Sequence, residues 1–227
     1  LQHHLPYLGE LGTSVVVSVA GRTEEEFVSL AERVGSQKGV AAIELNLSCP
    51  NVSGGIDFGT NAESCRKVVE ATRQRCGVPV VAKLTPNVTD IVHLAQGAEQ
   101  GGADAIVAIN TLAGMDIDLE RARPTFARVR AGLSGPAIFP VALLKVWEIA
   151  AAVRIPVIAV GGIASAREVL KFFMAGATAV QLGTLLFSKP TLLAEVKAGV
   201  REFLEQRGLS HPRELSLRQT TVAAEGG

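Results

Sequence analysis

The feature that most constrains this chain is a repeated alternation of short apolar runs with longer amphipathic ones. Six runs rich in Val, Ile and Ala have strand length: residues 14–20, 41–47, 78–84, 104–110, 155–160 and 177–182. Continuous apolar character suits parallel strands buried on both faces. Helical segments fall between them. Thr23 with Glu26 has capping-box spacing and opens a helix ending near Gly35; Ser165 with Glu168 repeats it before a helix ending at Gly176. Asn61 caps a helix running to Cys76, and Thr89 opens one reaching Gln100. Pro140 starts a helix to Val153, and Pro190 begins the last, ending near Gly208. After His211 the chain is expected to be irregular or to form one short helix.

Alternation of this kind belongs to the α/β class and gives either a doubly wound sheet or a closed TIM (β/α)8 barrel. The barrel is favoured on two grounds. Each strand runs into a loop of polar or glycine residues, where barrels carry their sites. No GxGxxG lies between the first strand and first helix, as a Rossmann unit requires. A barrel closes with eight strands, so about six of eight strand–helix units are expected here. The chain reads as one domain over residues 1–227, incomplete at its N-terminal end, in keeping with the absence of an initiator Met.

Composition excludes several function classes. With 48% hydrophobic and 19% charged residues, the chain can bury a large core. A formal net charge of zero supplies no field for nucleic acid. No apolar run approaches the ~20 residues of a membrane helix. The first residues lack the basic-then-apolar pattern of a secretory leader. Cys49, Cys65 and Cys76 form no CxxC pair, so neither zinc nor an iron–sulfur cluster is expected, and a reducing cytoplasm is the natural compartment.

The loops carry the chemistry. Gly161-Gly162 and Gly183-Thr184 follow the last two strands, where barrels hold phosphate groups. Glycine lets backbone amides approach an anion, and a following helix N-terminus adds positive potential; the plainer alternative is a pair of tight turns. Gly132-Leu133-Ser134-Gly135 can supply further amides. Lys83 ends a buried strand, where its ammonium needs an anion or water; otherwise it snorkels to the barrel mouth. Asn46, Asn51 and Asn110-Thr111 offer amide and hydroxyl groups that suit a planar ring with carbonyl and NH edges. Cys49 sits among these amides, and modest thiolate stabilisation makes a cysteine a usable base near neutral pH. Cys65 and Cys76 fit buried packing on one helix. His93 reads as surface or packing, His3 and His4 as loop, and Trp147 as packing between helix and barrel. Arg121, Arg123, Arg128 and Arg130 cluster in one long loop, either as a solvated face or as an interface.

Taken together, these residues resemble a known family. Asn46-Leu47-Ser48-Cys49-Pro50-Asn51, Ala82-Lys83-Leu84-Thr85-Pro86-Asn87, Asn110-Thr111, Gly132 through Ile138, Gly161-Gly162 and Gly183-Thr184 are similar, in order, to class 1 dihydroorotate dehydrogenases. Cysteine at the fourth position of the first motif resembles class 1, since class 2 enzymes have serine there. The Gly132–Ile138 stretch is most similar to the NAD-linked 1B subclass, whose catalytic subunit pairs with an iron–sulfur FAD reductase subunit. The resemblance implies oxidation of dihydroorotate to orotate in pyrimidine biosynthesis. It makes Cys49 the base at C5, with hydride passing from C6 to FMN. It places Asn46, Asn51, Asn110 and Thr111 on the pyrimidine. It assigns Ser18, Asn46, Lys83, Ile109, Gly135, Gly161, Gly162, Gly183 and Thr184 to FMN, with Lys83 at the flavin N1–O2 edge. It also implies a homodimer or heterotetramer.

There are departures. The family's early FMN-binding turn, substrate lysine and Asn-Gly-Leu-type orotate loop are not in this chain, and Leu1-Gln2 reads as a remnant of that loop. Ser18 stands where the family usually has asparagine. The chain by itself is therefore expected to oxidise little dihydroorotate. Two rivals share the barrel. Dihydropyrimidine dehydrogenases share residues 83–90 but carry their catalytic cysteine further along, near Phe58 and Gly59. A flavin-free sugar-phosphate lyase or isomerase needs strand-end carboxylates, and only Glu44, well inside a strand, is present. An inactive barrel fragment is the non-catalytic alternative.

Overall fold

The computed structural model describes residues 4–48 and 58–217. Six strands form the main sheet: β1 (Val15–Val19), β2 (Val40–Asn46), β3 (Val80–Leu84), β4 (Ala105–Ala108), β9 (Val157–Val160) and β10 (Ala179–Gln181). Short strands β5 (Leu112–Gly114), β6 (Ile117–Asp118), β7 (Arg123–Pro124) and β8 (Ala131–Leu133) lie between β4 and β9 in the chain. The sheet order is β1-β2-β3-β4-β9-β10, and the pairs β1–β2, β2–β3 and β9–β10 are parallel. This is the expected α/β alternation.

The chain divides into two compact units, residues 1–107 with 152–157 and residues 108–151 with 158–227. In the first unit three helices cover one face of the sheet. Helix α2 (Glu24–Gly35) is capped by Thr23 Oγ1, which accepts from Glu26 N at 3.2 Å. The Glu26 carboxylate accepts from Arg22 N, one residue before the position the capping box needs. Phe27, Ala31 and Val34 recur at helical spacing and form its buried face. Helix α3 (Ala62–Arg75) begins at Asn61, whose side chain accepts from Ser64 N at 2.9 Å, and buries Cys65, Val68, Val69 and Thr72. Helix α4 (Ile91–Gln100) is capped by Asp90 rather than Thr89, because the Asp90 carboxylate reaches His93 N at 3.0 Å. Ile43 and Leu45 of β2 are fully buried on the helix side of the sheet.

Helices α3 and α4 approach closely. A Cβ on Gly97 would stand 2.5 Å from Ala62 O, and one on Gly101 2.5 Å from Arg66 O. Gly97 and Gly101 are one helical turn apart, as are Ala62 and Arg66, so one glycine in α4 and one at its C-cap admit the main chain of α3. The entry to β9 is held by a side chain: Glu99 Oε1 accepts from Arg154 N at 2.7 Å and Ile155 N at 3.2 Å.

The second unit contains α5 (Phe139–Ala152), α6 (Ala166–Met174) and α7 (Leu192–Gln206). A 3-10 turn, Pro136–Ile138, leads into α5, which starts one residue before Pro140. Ser165 caps α6 by accepting from Arg167 N at 3.1 Å, and its hydroxyl donates to the Glu168 carboxylate at 2.7 Å. Leu170, Leu204 and Leu215 form a local core with Phe173, Val200 and Phe203 packed against it. Among the described residues after α7, Pro212–Leu215 form one short 3-10 turn, closed by a reciprocal cap between His211 and Glu214.

Three expectations change. His4 opens a seven-residue helix, α1 (His4–Glu10), rather than a loop. Trp147 is 38% exposed and lies off the buried face of α5, which is formed by Ala142, Val146 and Ile149. The arginine-bearing loop is built from two antiparallel ribbons, β5 with β8 and β6 with β7.

Candidate active site

In the first unit the candidate side chains sit where β2 and β3 end. Parallel register sets Ser18 beside Glu44 and Asn46 beside Lys83. Side chains two apart on a strand share a face, so Glu44 and Asn46 lie opposite the helix-facing Ile43 and Leu45. Glu44 is 5% exposed, and its carboxylate lies 3.7 Å from the Lys83 ammonium. That is close enough for charge attraction but longer than a hydrogen bond. The Lys83 side chain is 22% exposed, so it neither escapes to water nor is sealed away.

The chain leaves β2 in a turn held by its own residues. Asn46 Oδ1 accepts from Ser48 N at 3.3 Å. Among the described residues, the Ser48 hydroxyl is the one buried side-chain polar atom without a hydrogen-bond partner. After β3, Thr85 Oγ1 accepts from both the backbone N and Nδ2 of Asn87, at 3.2 and 3.0 Å, which shapes the Thr-Pro-Asn turn. Ser18 is exposed on β1. Cys49 and Asn51 lie outside the described residues.

The other two cysteines are inert by environment. Burial pushes the Cys65 thiol up to about 12, and its sulfur faces Leu94 O on α4. The Cys76 sulfur faces Ala31 O on α2. The two do not share a partner, because Cys76 is the extended C-cap of α3 and the helical periodicity has ended there.

The second unit collects the remaining candidates. Asn110 Oδ1 accepts from Thr111 N at 2.7 Å. A Cβ on Gly132 would meet Thr111 Oγ1 at 2.5 Å, so this glycine lets β8 pass over the threonine. Ile109 is 2% exposed and packs against Gly161. Gly135, Gly161 and Gly162 have φ of 90°, 131° and 73°, a region that disfavours other residues. Around them the Thr184 hydroxyl donates to Ser134 Oγ at 2.9 Å.

Two kinds of glycine separate here. Gly162 is needed for packing, since a Cβ would sit 2.6 Å from Phe139 N. Gly183 opens onto free space, with nothing within 4 Å of a built Cβ, and Gly135 has only Thr184 Cγ2 at 3.8 Å. Neither of these two is forced by contacts within the chain. The helical contribution expected at Gly183 is not there, because a single 3-10 turn, Thr184–Phe187, follows it.

Two further residues join the candidates. Glu44 is an isolated carboxylate in the sequence, yet its spacing from Asn46 puts both on one face. Ser134 adds its hydroxyl, which meets Thr184. Among the described residues no cluster of His, Cys, Asp and Glu could hold a metal, and no helix is long and apolar enough to cross a membrane.

The chain is similar to known proteins in sequence and in fold. Residues 1–204 match the family model described as dihydroorotate dehydrogenase. The chain is 49% identical, over 211 residues, to the dihydroorotate dehydrogenase B (NAD(+)) catalytic subunit of Trichlorobacter lovleyi, covering 92% of this chain and 69% of that protein. It is 46% identical, over 216 residues, to the protein of the same name from Geotalea uraniireducens, covering 95% and 71%. A crystal structure of DHODH from Eimeria tenella in complex with ferulenol superposes with a TM-score of 0.71 at 21% identity. That match covers 86% of this chain and 58% of that one, and it shows a shared barrel-type α/β fold.

Proposed function

Because the chain belongs to the dihydroorotate dehydrogenase family, we propose that it carries the oxidation of dihydroorotate to orotate in pyrimidine biosynthesis, with NAD as final acceptor. The observation that carries this reading is the register of β2 on β3, which sets Asn46 beside Lys83 next to the buried Glu44. A cation and a carboxamide at adjacent strand ends suit a flat heterocycle with acceptor edges.

The residues present fit FMN. Gly183 and Gly135 leave space that a Cβ would fill, beside the Ser134–Thr184 hydroxyl pair, as a phosphate needs. When bound, FMN would accept the hydride from C6 of the substrate. Gly161, Gly162, Gly183 and Thr184 would hold its phosphate end, with Gly135, Ile109 and Ser18 as further contacts. Lys83 would offset negative charge at the N1–O2 edge. Asn46, Asn51, Asn110 and Thr111 would orient the pyrimidine, and Cys49 would remove the C5 proton. Residues 1–227 read as one barrel domain. The relatives' title of catalytic subunit supports a partner, which we read as an iron–sulfur FAD reductase, in a cytoplasmic homodimer or heterotetramer.

The dihydropyrimidine dehydrogenase alternative loses ground at Phe58. Where that family places its cysteine, this chain has a 5% exposed phenylalanine stacked edge-on against Phe27 at 5.6 Å.

The test is anaerobic mixing of dihydroorotate with the flavin-loaded gene product that carries this chain. Dihydroorotate should bleach the flavin absorbance and uracil should not act as a substrate. Cys49→Ala should retain the flavin and slow bleaching by about 100- to 10,000-fold, the usual worth of a positioned base. Bleaching by Cys49→Ala at the parent rate refutes the assignment.

A further inference from the structure

Lys83 is the cation to which the proposed function gives the flavin edge, and its surroundings raise a question that function leaves open: what holds the ammonium there. A lysine ending a buried strand has four rotatable bonds and rests wherever its charge is best met. Here its nitrogen lies 3.7 Å from Glu44 Oε1. Glu44 belongs to the neighbouring strand, two residues before Asn46, on the same face and 5% exposed. A carboxylate so buried is retained at a cost in solvation unless a cation answers it. Because the separation exceeds hydrogen-bond length, Glu44 attracts the ammonium without taking up its donors.

We infer that Glu44 is a positioning residue for Lys83: it fixes the ammonium at the end of β3 and leaves its N–H donors for an anionic ring edge. The inference rests on the FMN reading for its consequence, though not for the ion pair itself. It has a sign that separates it from simple electrostatics. A carboxylate acting directly on a flavin disfavours the reduced, anionic form, so removing it raises the reduction potential. A carboxylate acting through Lys83 does the reverse, since its removal lets the cation drift from the ring.

Two measurements decide it. In the first, flavin-free protein is labelled with limiting acetic anhydride, and acetylation of Lys83 is read by mass spectrometry against exposed Lys38. Freed from its carboxylate, Lys83 in Glu44→Gln should label about fivefold faster. Glu44→Asp, which keeps the charge but shortens its reach, should label about threefold faster. If Glu44→Gln does not fold, Glu44→Asp decides alone. Labelling at the parent rate overturns the inference. In the second, the two-electron potential of bound FMN is measured in the gene product that carries this chain. Glu44→Gln should lower the ratio of reduced to oxidised flavin about tenfold, or about 30 mV. An unchanged or raised potential overturns the positioning role. If the parent protein takes up no flavin, the FMN reading fails, and the labelling result still decides whether Glu44 holds Lys83.

Discussion

The glycines after the last two strands should respond differently to the same substitution. In Gly162→Ala the new methyl must adopt φ of 73° and would stand 2.6 Å from both the Phe139 backbone N and its Cβ. The left-handed conformation costs about 1–2 kcal/mol for a residue other than glycine. Forcing an atom into backbone adds about 1–3 kcal/mol. The sum, roughly 2–5 kcal/mol, is a large part of a domain's stability. Gly183→Ala meets nothing within 4 Å, so its stability should change by about 0.5 kcal/mol or less. Its effect should fall on the phosphate: losing one backbone contact to an anion costs about 1.5–3 kcal/mol, or roughly 10- to 150-fold in affinity. Urea unfolding measures the first effect. Fluorescence titration with FMN and with riboflavin, which lacks the phosphate, measures the second. Gly183→Ala should erase much of the preference for FMN while unfolding at nearly the parent midpoint. Equal destabilisation by both substitutions, or an intact preference for FMN in Gly183→Ala, refutes the division into packing and binding glycines.

Other outcomes follow from the same geometry. Cys65 and Cys76 should resist thiol reagents until the chain unfolds, with mass-spectrometric mapping as the readout. Because burial raises Cys65 from 9.0 to about 12, the folded state keeps a proton that the unfolded state loses in that window. Its contribution to stability is full below about pH 9 and declines as pH rises toward 12, which unfolding curves in the parent and Cys65→Ala should show. Glu99→Ala leaves the Arg154 and Ile155 amides without their acceptor and should cost about 1–3 kcal/mol in urea unfolding.

The cores of all six sheet strands were legible because runs such as Val157–Val160 are apolar on both faces. Their ends were not. The apolar run continues through Ile109, which is buried but past β4, and through Ile155, whose amide serves Glu99 instead of a strand. Helix α1 was hidden because its seven residues contain both a proline and a glycine, poor helix formers. The ribbons between β4 and β9 escaped notice because their strands are two or three residues long and leave Leu119 at 89% exposure. At the site, Asn46 and Lys83 were readable from strand ends alone. Glu44 was not, because its meaning depends on a neighbouring strand's register, which hydrophobic pattern within one strand does not encode.

The close seam between α3 and α4 also limits how this sequence can drift. At positions 97 and 101 the opposing surface is carbonyl oxygen, which has no smaller version to mutate to. A larger residue there finds no single compensating substitution across the interface, so variation on this flank of the molecule is confined to the outward faces of the two helices.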